Sequence, residues 1–245
     1  MLYKKILFLF AVIFIFLPDA VPLDNAGVPL ETDLHIKREN LFIGYSNKYR
    51  QAIWVAYVLT SENIQAQQVR RHDKFQADPQ IKYRPVRPKD YARSGYDKGH
   101  LAPAADMTYS YETMTNSFFM SNISPQLPGC NRGIWKRLES QVRRWALSEE
   151  KLYIVTGPVF DRRPKRMGEN KLPVPCAFYK VVLDLTAPMK MIGFVVPNES
   201  SKRSLAYFAM PVAEVERITG CDFFSELDDE LERNLEKQCD FAAWK

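Results

Sequence analysis

Histidine and cysteine are scarce in this sequence, which has three histidines and four cysteines in 245 residues. No pair of cysteines has the C-x-x-C spacing that is typical of zinc sites, so a zinc-binding domain is not expected. Beyond residue 20, no apolar stretch approaches the roughly twenty residues needed to span a bilayer, and no internal repeat is visible. These absences argue against a zinc-ribbon protein, a polytopic membrane protein and a solenoid.

The N-terminus carries the longest apolar run of the sequence. Lys4 and Lys5 precede an unbroken apolar segment from Ile6 to Leu17, and Ala20 offers a small residue for cleavage. This pattern predicts an export signal over residues 1–20. An uncleaved anchor is the alternative, because Pro18 stands where a small residue is preferred. Residues 21–245 suffice for a single domain, which is then predicted to be secreted or periplasmic and free of stable membrane association.

The charge balance is mildly basic, with a formal net charge of +5 at pH 7. Such a charge permits a polyanionic partner, but an ordinary solvated basic surface fits it equally well. Charge alone therefore does not identify a substrate.

Apolar patterns predict strands grouped with helices rather than alternating with them. Residues 39–60 predict two strands, residues 117–124 one more, and residues 152–160, 176–185 and 190–197 three others. A helix is predicted over residues 131–147, where Ile134, Leu138, Val142 and Trp145 have helical spacing. Residues 61–91 are polar and predict a surface excursion, and the chain from about Val212 predicts helix. The fold class indicated is α+β.

The stretch YDKGHLAPAADM, residues 96–107, places His100 next to charged residues and a glycine. A lone histidine is more often structural than catalytic. Here, however, Asp97 could orient the ring, Lys98 adds a cation, and Gly99 allows a close backbone approach. Because neutral imidazole can take a proton from water near neutral pH, His100 is a candidate general base. The remaining histidines lie in polar segments and are expected to face solvent.

A second candidate site lies in NISPQLPGCNRGIWKRLE. Asn131 and Glu139 offer an amide oxygen and a carboxylate, which suit a hard cation such as Mg²⁺. The alternatives are that Asn131 is a helix N-cap and that Glu139 is an exposed helix residue. In a straight helix the two residues would be about 12 Å apart, too far to grip one ion directly. Either Asn131 coordinates from the helix start, or Glu139 acts through water; we expect both.

Together, DKGHLAPAAD, SNISPQ and NRGIWKRLE, in this order, resemble the DNA/RNA non-specific endonucleases related to endonuclease G. The resemblance implies a ββα-metal nuclease fold with a central, mainly antiparallel sheet flanked by helices. It also implies Mg²⁺, with Mn²⁺ as an alternative ion, DNA and RNA as substrates, and 5′-phosphorylated products.

The resemblance also implies roles for individual residues. His100 matches the general base of the family, and Asn131 matches its single direct protein ligand for magnesium. Glu139 matches the acid that holds the ion through water, and Asn122 matches an active-site asparagine.

Two basic positions also correspond to phosphate-contacting positions of the family. Lys98 stands where the family usually has arginine; lysine keeps the charge but loses the bidentate grip on phosphate. An upstream arginine of the family contacts phosphate, and here Arg70 and Arg71 are both available. We assign that role to Arg71.

The sequence therefore predicts a Mg²⁺-dependent endonuclease of low sequence selectivity, since backbone contacts dominate such binding. A binding module that has lost catalysis is disfavoured because His100, Asn131 and Glu139 are all present. A narrower phosphodiesterase remains open because of Lys98.

The cysteines, being even in number in a chain predicted to be exported, suggest disulfides. We expect the pairs Cys221–Cys239 and Cys130–Cys176, with unpaired thiols as the alternative.

Overall fold

A seven-stranded antiparallel sheet forms the centre of the structure, a computed structural model that describes residues 27–244. The predicted export signal lies outside the described residues. The strands, in chain order, are β1 (Leu34–Lys37), β2 (Phe42–Ser46), β3 (Gln51–Thr60), β4 (Asp97–His100), β5 (Ile123–Gln126), β6 (Lys151–Val159), β7 (Arg166–Met167), β8 (Leu172–Pro173), β9 (Ala177–Asp184), β10 (Lys190–Pro197) and β11 (Ala209–Met210). The large sheet has the order β1-β2-β3-β6-β9-β10-β11, while β4–β5 and β7–β8 form two small antiparallel pairs.

Within residues 27–244, five α-helices accompany the sheet: α1 (Ser61–Ala66), α2 (Tyr111–Ser117), α3 (Lys136–Ser148), α4 (Val212–Thr219) and α5 (Asp229–Glu236). Local capping fixes where several of them begin. The Ser110 hydroxyl accepts a hydrogen bond from the Thr113 backbone N–H at the start of α2, and the Asp228 carboxylate caps α5 in the same way. None of the helices within residues 27–244 has the length and apolar character of a membrane span.

Helices cover both faces of the sheet, so its central strands are buried on both sides. Alternate residues of β9 point to opposite faces: Phe178 and Val182 join one core, and Tyr179 and Val181 join the other. Helix α3 packs its apolar stripe into the first core, and α4 and α5 pack onto the second. This arrangement confirms the predicted α+β class with a central antiparallel sheet.

Most predicted elements are present, with local differences. The strands predicted over residues 39–60, 152–160, 176–185 and 190–197 correspond to β2, β3, β6, β9 and β10. The predicted surface excursion begins instead with α1, which Thr60 caps. In the predicted strand 117–124, only the last two residues belong to a strand, β5, because α2 ends at Ser117 and Met120–Asn122 form a 3-10 turn. The short edge strand β1 was not predicted.

Strands β4 and β5 and helix α3 together form a ββα unit on one side of the main sheet. His100 pairs with Ile123 and Gly99 with Ser124 in the antiparallel ladder. A Cβ atom at Gly99 would collide with the buried side chain of Gln126, which explains why glycine is required beside the histidine. A wide helical turn, Cys130–Trp135, connects β5 to α3.

The predicted disulfides are wrong in this structure, where all four cysteines are free. Cys130 and Cys221 are buried in the two separate cores, whereas Cys176 and Cys239 are exposed. The Cys176 thiol donates to the Val159 carbonyl, 3.3 Å away. Both predicted pairings therefore join a buried thiol to an exposed one.

Candidate active site

A cavity of about 390 Å³ lies between β4, the loop that follows it, and helix α3. It brings together five of the six site residues predicted from the sequence, although they come from four separate segments of the chain. The lining residues are Arg71, Lys98, His100, Pro103, Ala104, Ala105, Asn131, Arg132, Lys136, Glu139 and Arg143. Seven of these eleven side chains are ionisable, and most are basic, so the cavity suits an anionic ligand.

His100 forms one wall of the cavity and is only 8% exposed. The rings of Phe75 and Phe118 lie 5.4 and 4.9 Å from the imidazole, centroid to centroid, and fix its orientation. Burial, followed by the positive charge of Arg71, lowers the pKa of His100 to about 3. The ring is therefore neutral at physiological pH, and its Nε2 has no hydrogen-bond partner among the described residues.

Asp97 does not orient His100, contrary to the prediction. Its carboxylate instead accepts a hydrogen bond from Asn131 Nδ2 (2.9 Å) and two from the Arg132 guanidinium (2.8 and 2.6 Å). Although partial burial opposes it, these bonds lower the pKa of Asp97, so the carboxylate stays ionised. With Nδ2 held by Asp97, the Oδ1 atom of Asn131 keeps its acceptor capacity for a ligand.

The interpretation of Asn131 as a helix N-cap is also wrong. Asn131 lies inside the wide turn, five residues before α3 begins at Lys136. The chain kinks at Gly133, whose φ and ψ of −106° and −108° are non-helical. Because of this kink, the distance estimated for a straight helix between Asn131 and Glu139 does not apply.

Glu139 lies in the first turn of α3 and makes no hydrogen bond or ion pair to another described residue. Burial raises its pKa to about 7; nearby Lys180 opposes this shift, and Asp106 adds to it. A carboxylate that lacks a protein partner and is difficult to ionise is well suited to a cation, which would stabilise its charged form.

A buried cluster of charges lies beneath Glu139. Asp106 accepts hydrogen bonds from Arg143 Nη1 (2.6 Å) and from the Tyr57 hydroxyl (3.0 Å). Lys180 is fully buried, with its Nζ 5.1 Å from the centroid of the Trp135 ring. Desolvation lowers the pKa of this ammonium group to about 8, while Glu139 and Asp106 oppose the shift. The negative charges of Asp106 and Glu139 and the positive charges of Arg143 and Lys180 compensate one another beneath the cavity.

Lys98 and Arg71 flank the histidine. Lys98 is half-buried, and its Nζ lies 4.9 Å from the Phe75 ring centroid. Arg71 is exposed; its Nε donates to Asp73 (2.7 Å), and its guanidinium lies 5.3 Å from the Phe118 ring centroid. Phe75 and Phe118 therefore position the two cations as well as His100.

Asn122 does not line the cavity. It is fully buried, its Oδ1 accepts from the Ala102 backbone N–H (3.0 Å), and its Nδ2 donates to the carbonyls of Ala102 and Ser117 (both 2.9 Å). All of its hydrogen bonds go to backbone, so in this structure Asn122 holds the loop that follows His100.

The predictions for the other two histidines are only partly right. Both are half-buried rather than fully solvent-facing, and both pack on aromatic rings: His35 lies against Phe42 and Trp54, and His72 against Phe118. Neither lines the cavity.

Residues 21–230 match the model of the family described as DNA/RNA non-specific endonuclease. The chain belongs to the DNA/RNA non-specific endonuclease family. It is 35% identical over 235 residues to a nuclease of Syncephalastrum racemosum, which covers 86% of this chain and 72% of the relative. It is 31% identical to human mitochondrial endonuclease G over 201 residues, 76% of this chain and 68% of the relative.

A solved structure of endonuclease G with its inhibitor EndoGI is similar to this chain, with a TM-score of 0.78 and 29% identity over 85% of this chain and 94% of that one. The family and these relatives make this endonuclease an enzyme that hydrolyses nucleic acids.

Three charged residues that line the endonuclease's cavity were not predicted from the sequence: Arg132, Lys136 and Arg143. The sequence did contain a pattern that predicts two of them: Lys136 and Arg143 lie three residues before and four residues after Glu139, a spacing that places them on the same helix face. The Asp97–Asn131 bond had no such signal, since the two residues are 34 positions apart.

Proposed function

We propose that this chain is an exported, Mg²⁺-dependent endonuclease that cleaves DNA and RNA phosphodiesters with little sequence selectivity. The observation that carries the proposal is the single cavity that unites a neutral histidine, an amide oxygen, an unpaired carboxylate and several cations. Family membership supplies the reaction class, and the cavity supplies the roles of the residues.

The residues present fit a divalent cation. Asn131 offers Oδ1 because Asp97 holds its Nδ2, and Glu139 offers a carboxylate that has no protein partner within residues 27–244. Hard oxygen donors, one neutral and one charged, suit Mg²⁺, and Mn²⁺ accepts the same donors. When bound, such an ion supplies Lewis-acid stabilisation of the negative charge that grows on the phosphate.

His100 is the proposed general base. Its imidazole can accept the proton of the attacking water, because the ring lines the cavity and is neutral at physiological pH. Phe75 and Phe118 restrict rotation of the ring, so it keeps one orientation relative to the cavity.

Lys98 and Arg71 are the proposed phosphate contacts. Within the described residues neither is neutralised by a buried carboxylate, and the carboxylate that pairs with Arg71 is the exposed Asp73. Their charges oppose the repulsion between the phosphate and Glu139. Contacts of this kind go to the nucleic-acid backbone, which is the reason for low selectivity.

Export is the part of the proposal that depends on sequence alone. The basic start, the apolar run and the small residue at position 20 support secretion or a periplasmic location. Reporter fusion of residues 1–20 and N-terminal sequencing of the mature protein test it. A protein that keeps Met1 and stays in the cytoplasm would contradict it.

A narrower phosphodiesterase is the second candidate, favoured by lysine at position 98. The test compares supercoiled plasmid, a structured RNA and a small chromogenic diester, each with Mg²⁺ and then with chelator. The proposal expects cleavage of plasmid and RNA that chelator abolishes. Cleavage of the small diester alone would favour the narrower enzyme, and binding of nucleic acid without any cleavage would favour a binding module.

A further inference from the structure

A second groove, of about 490 Å³, follows the exposed side of α3 beyond the catalytic cavity. One wall is formed by Lys136, Arg137, Ser140 and Arg144 of α3, and the other includes Leu205 and Phe241. The two depressions share Arg132 and Lys136, so the groove continues directly from the cavity.

Three cations of this groove lack a countercharge. Arg137 donates to the Arg203 carbonyl and Arg144 to the Gln141 side-chain oxygen, both neutral acceptors. Among residues 27–244 no carboxylate lies within ion-pair distance of Lys136, Arg137 or Arg144. By contrast, the carboxylates of Asp97 and Asp106 neutralise the cavity arginines, Arg132 and Arg143.

The spacing of these cations follows the helix. Lys136, Ser140 and Arg144 recur every four residues and so lie along one stripe, with Arg137 beside it. The stripe extends for about 12 Å at 1.5 Å per residue, which corresponds to three or four nucleotides at about 3.4 Å per nucleotide along one strand. An ordinary solvated helix face mixes charges of both signs, as α5 does with Arg233 among several acids.

We propose that this groove, which we call the α3 track, binds the phosphates of the nucleic-acid strand that flanks the cleaved bond. The inference rests on the proposed nuclease function and adds a substrate preference to it: polynucleotides rather than small diesters. Lys136, which lines both the catalytic cavity and the groove, contacts the phosphate between those bound in the cavity and those bound by Arg137 and Arg144. Leu205 and Phe241 provide an apolar wall for sugars or bases, with no hydrogen bonds to base edges that would select a sequence.

The test uses the double variant Arg137→Gln/Arg144→Gln, in which both side chains are exposed and their loss leaves the core intact. The matched control is Arg233→Gln/Lys237→Gln, which removes the same charge from the opposite face of the sheet. Thermal melts check that both variants are folded.

One phosphate contact contributes about 0.9 to the slope of log affinity against log salt, so at 0.15 M salt its loss weakens binding roughly 5-fold. The track variant should therefore raise KM for plasmid about 30-fold and lower the salt slope by about 2. Its hydrolysis of a small chromogenic diester should change less than about 2-fold, and the control variant should resemble wild type on both substrates.

Equal effects of the two variants on plasmid would overturn the inference, since net charge alone would then explain them. Equal losses on plasmid and on the small diester would also overturn it, since the arginines would then act on the reacting phosphate. If wild type cleaves neither substrate, the proposed function fails separately. Fluorescence anisotropy of a labelled oligonucleotide then tests binding by the α3 track. A loss of affinity of about 30-fold in the track variant supports the inference, and wild-type affinity contradicts it.

Discussion

Replacement of Asp97 by alanine should weaken the use of Mg²⁺ without unfolding the protein. Asp97 is the hydrogen-bond partner of the Asn131 amide nitrogen, at 2.9 Å, and it also binds Arg132. Without the carboxylate, the Asn131 amide is free to rotate or flip, so its oxygen is no longer held for the ion. The partner arginine of Asp97 is exposed, and surface ion pairs contribute little to stability, so the variant should stay folded.

The size of the effect follows from the position of Asp97 behind the ligand. Loss of a residue that orients a metal ligand typically lowers metal affinity about 10- to 100-fold. Since Asp97 is partly exposed, we expect the lower end, about 10-fold, which corresponds to about 1.4 kcal/mol.

The assay is the initial rate of plasmid cleavage against Mg²⁺ concentration. Arg132→Ala is the matched control, because it removes the other partner of Asp97 but leaves the Asp97–Asn131 bond in place. It should raise KM for DNA and leave half-saturating Mg²⁺ almost unchanged. A wild-type Mg²⁺ dependence in Asp97→Ala, or an equal shift in Arg132→Ala, would show that Asp97 does not orient the metal ligand.

Three further predictions concern other residues. Lys98→Arg should retain or raise kcat/KM on plasmid, because a guanidinium group can donate two hydrogen bonds to one phosphate. Lys98→Ala should lower kcat/KM about 10-fold or more, and an alanine variant with wild-type kcat/KM would show that Lys98 does not contribute to the site. Protons compete with Mg²⁺ for Glu139, so Mg²⁺ affinity should fall as pH falls below about 7, and Glu139→Gln should abolish this slope; an unchanged slope would exclude Glu139. Under non-reducing conditions Ellman's reagent should titrate two thiols in the native protein, Cys176 and Cys239, and four after denaturation; fewer than four would indicate a disulfide.

Ionisation of Glu139 also affects the stability of the fold. Its folded-state pKa is raised above the unfolded value, so ionisation destabilises the metal-free fold as pH rises through about 7. The melting temperature of Glu139→Gln should therefore exceed that of wild type more at pH 8 than at pH 6. Added Mg²⁺ should reduce this difference, because the ion stabilises the charged carboxylate.

The sequence predicted the strands and helices whose side-chain pattern is set by burial. Strands such as β9 are buried on both faces and read as nearly continuous apolar runs, and the stripe of Leu138, Val142 and Trp145 marked α3. Helix α1 was missed because its six residues bury nothing, so no apolar periodicity marks it.

The candidate site was predicted where chemistry and local motif coincide, and missed where it depends on distant contacts. His100, Asn131 and Glu139 were found because each stands in a recognisable motif. The kink at Gly133 and the free carboxylate of Glu139 arise from tertiary packing. Lys180 was hidden for another reason: a lysine in a strand predicts an exposed position, and only the folded chain buries it beneath the cavity.

The proposal that His100 is the general base is tested most directly by single-turnover plasmid cleavage at saturating Mg²⁺ with His100→Ala. Removal of a general base should lower the rate about 10²- to 10⁴-fold. DNA binding, measured by anisotropy, should stay near wild type, and the thermal melt should still show a cooperative transition, at a lower temperature because the buried imidazole packs on Phe75 and Phe118. A folded His100→Ala variant that cleaves at close to the wild-type rate would contradict the assignment.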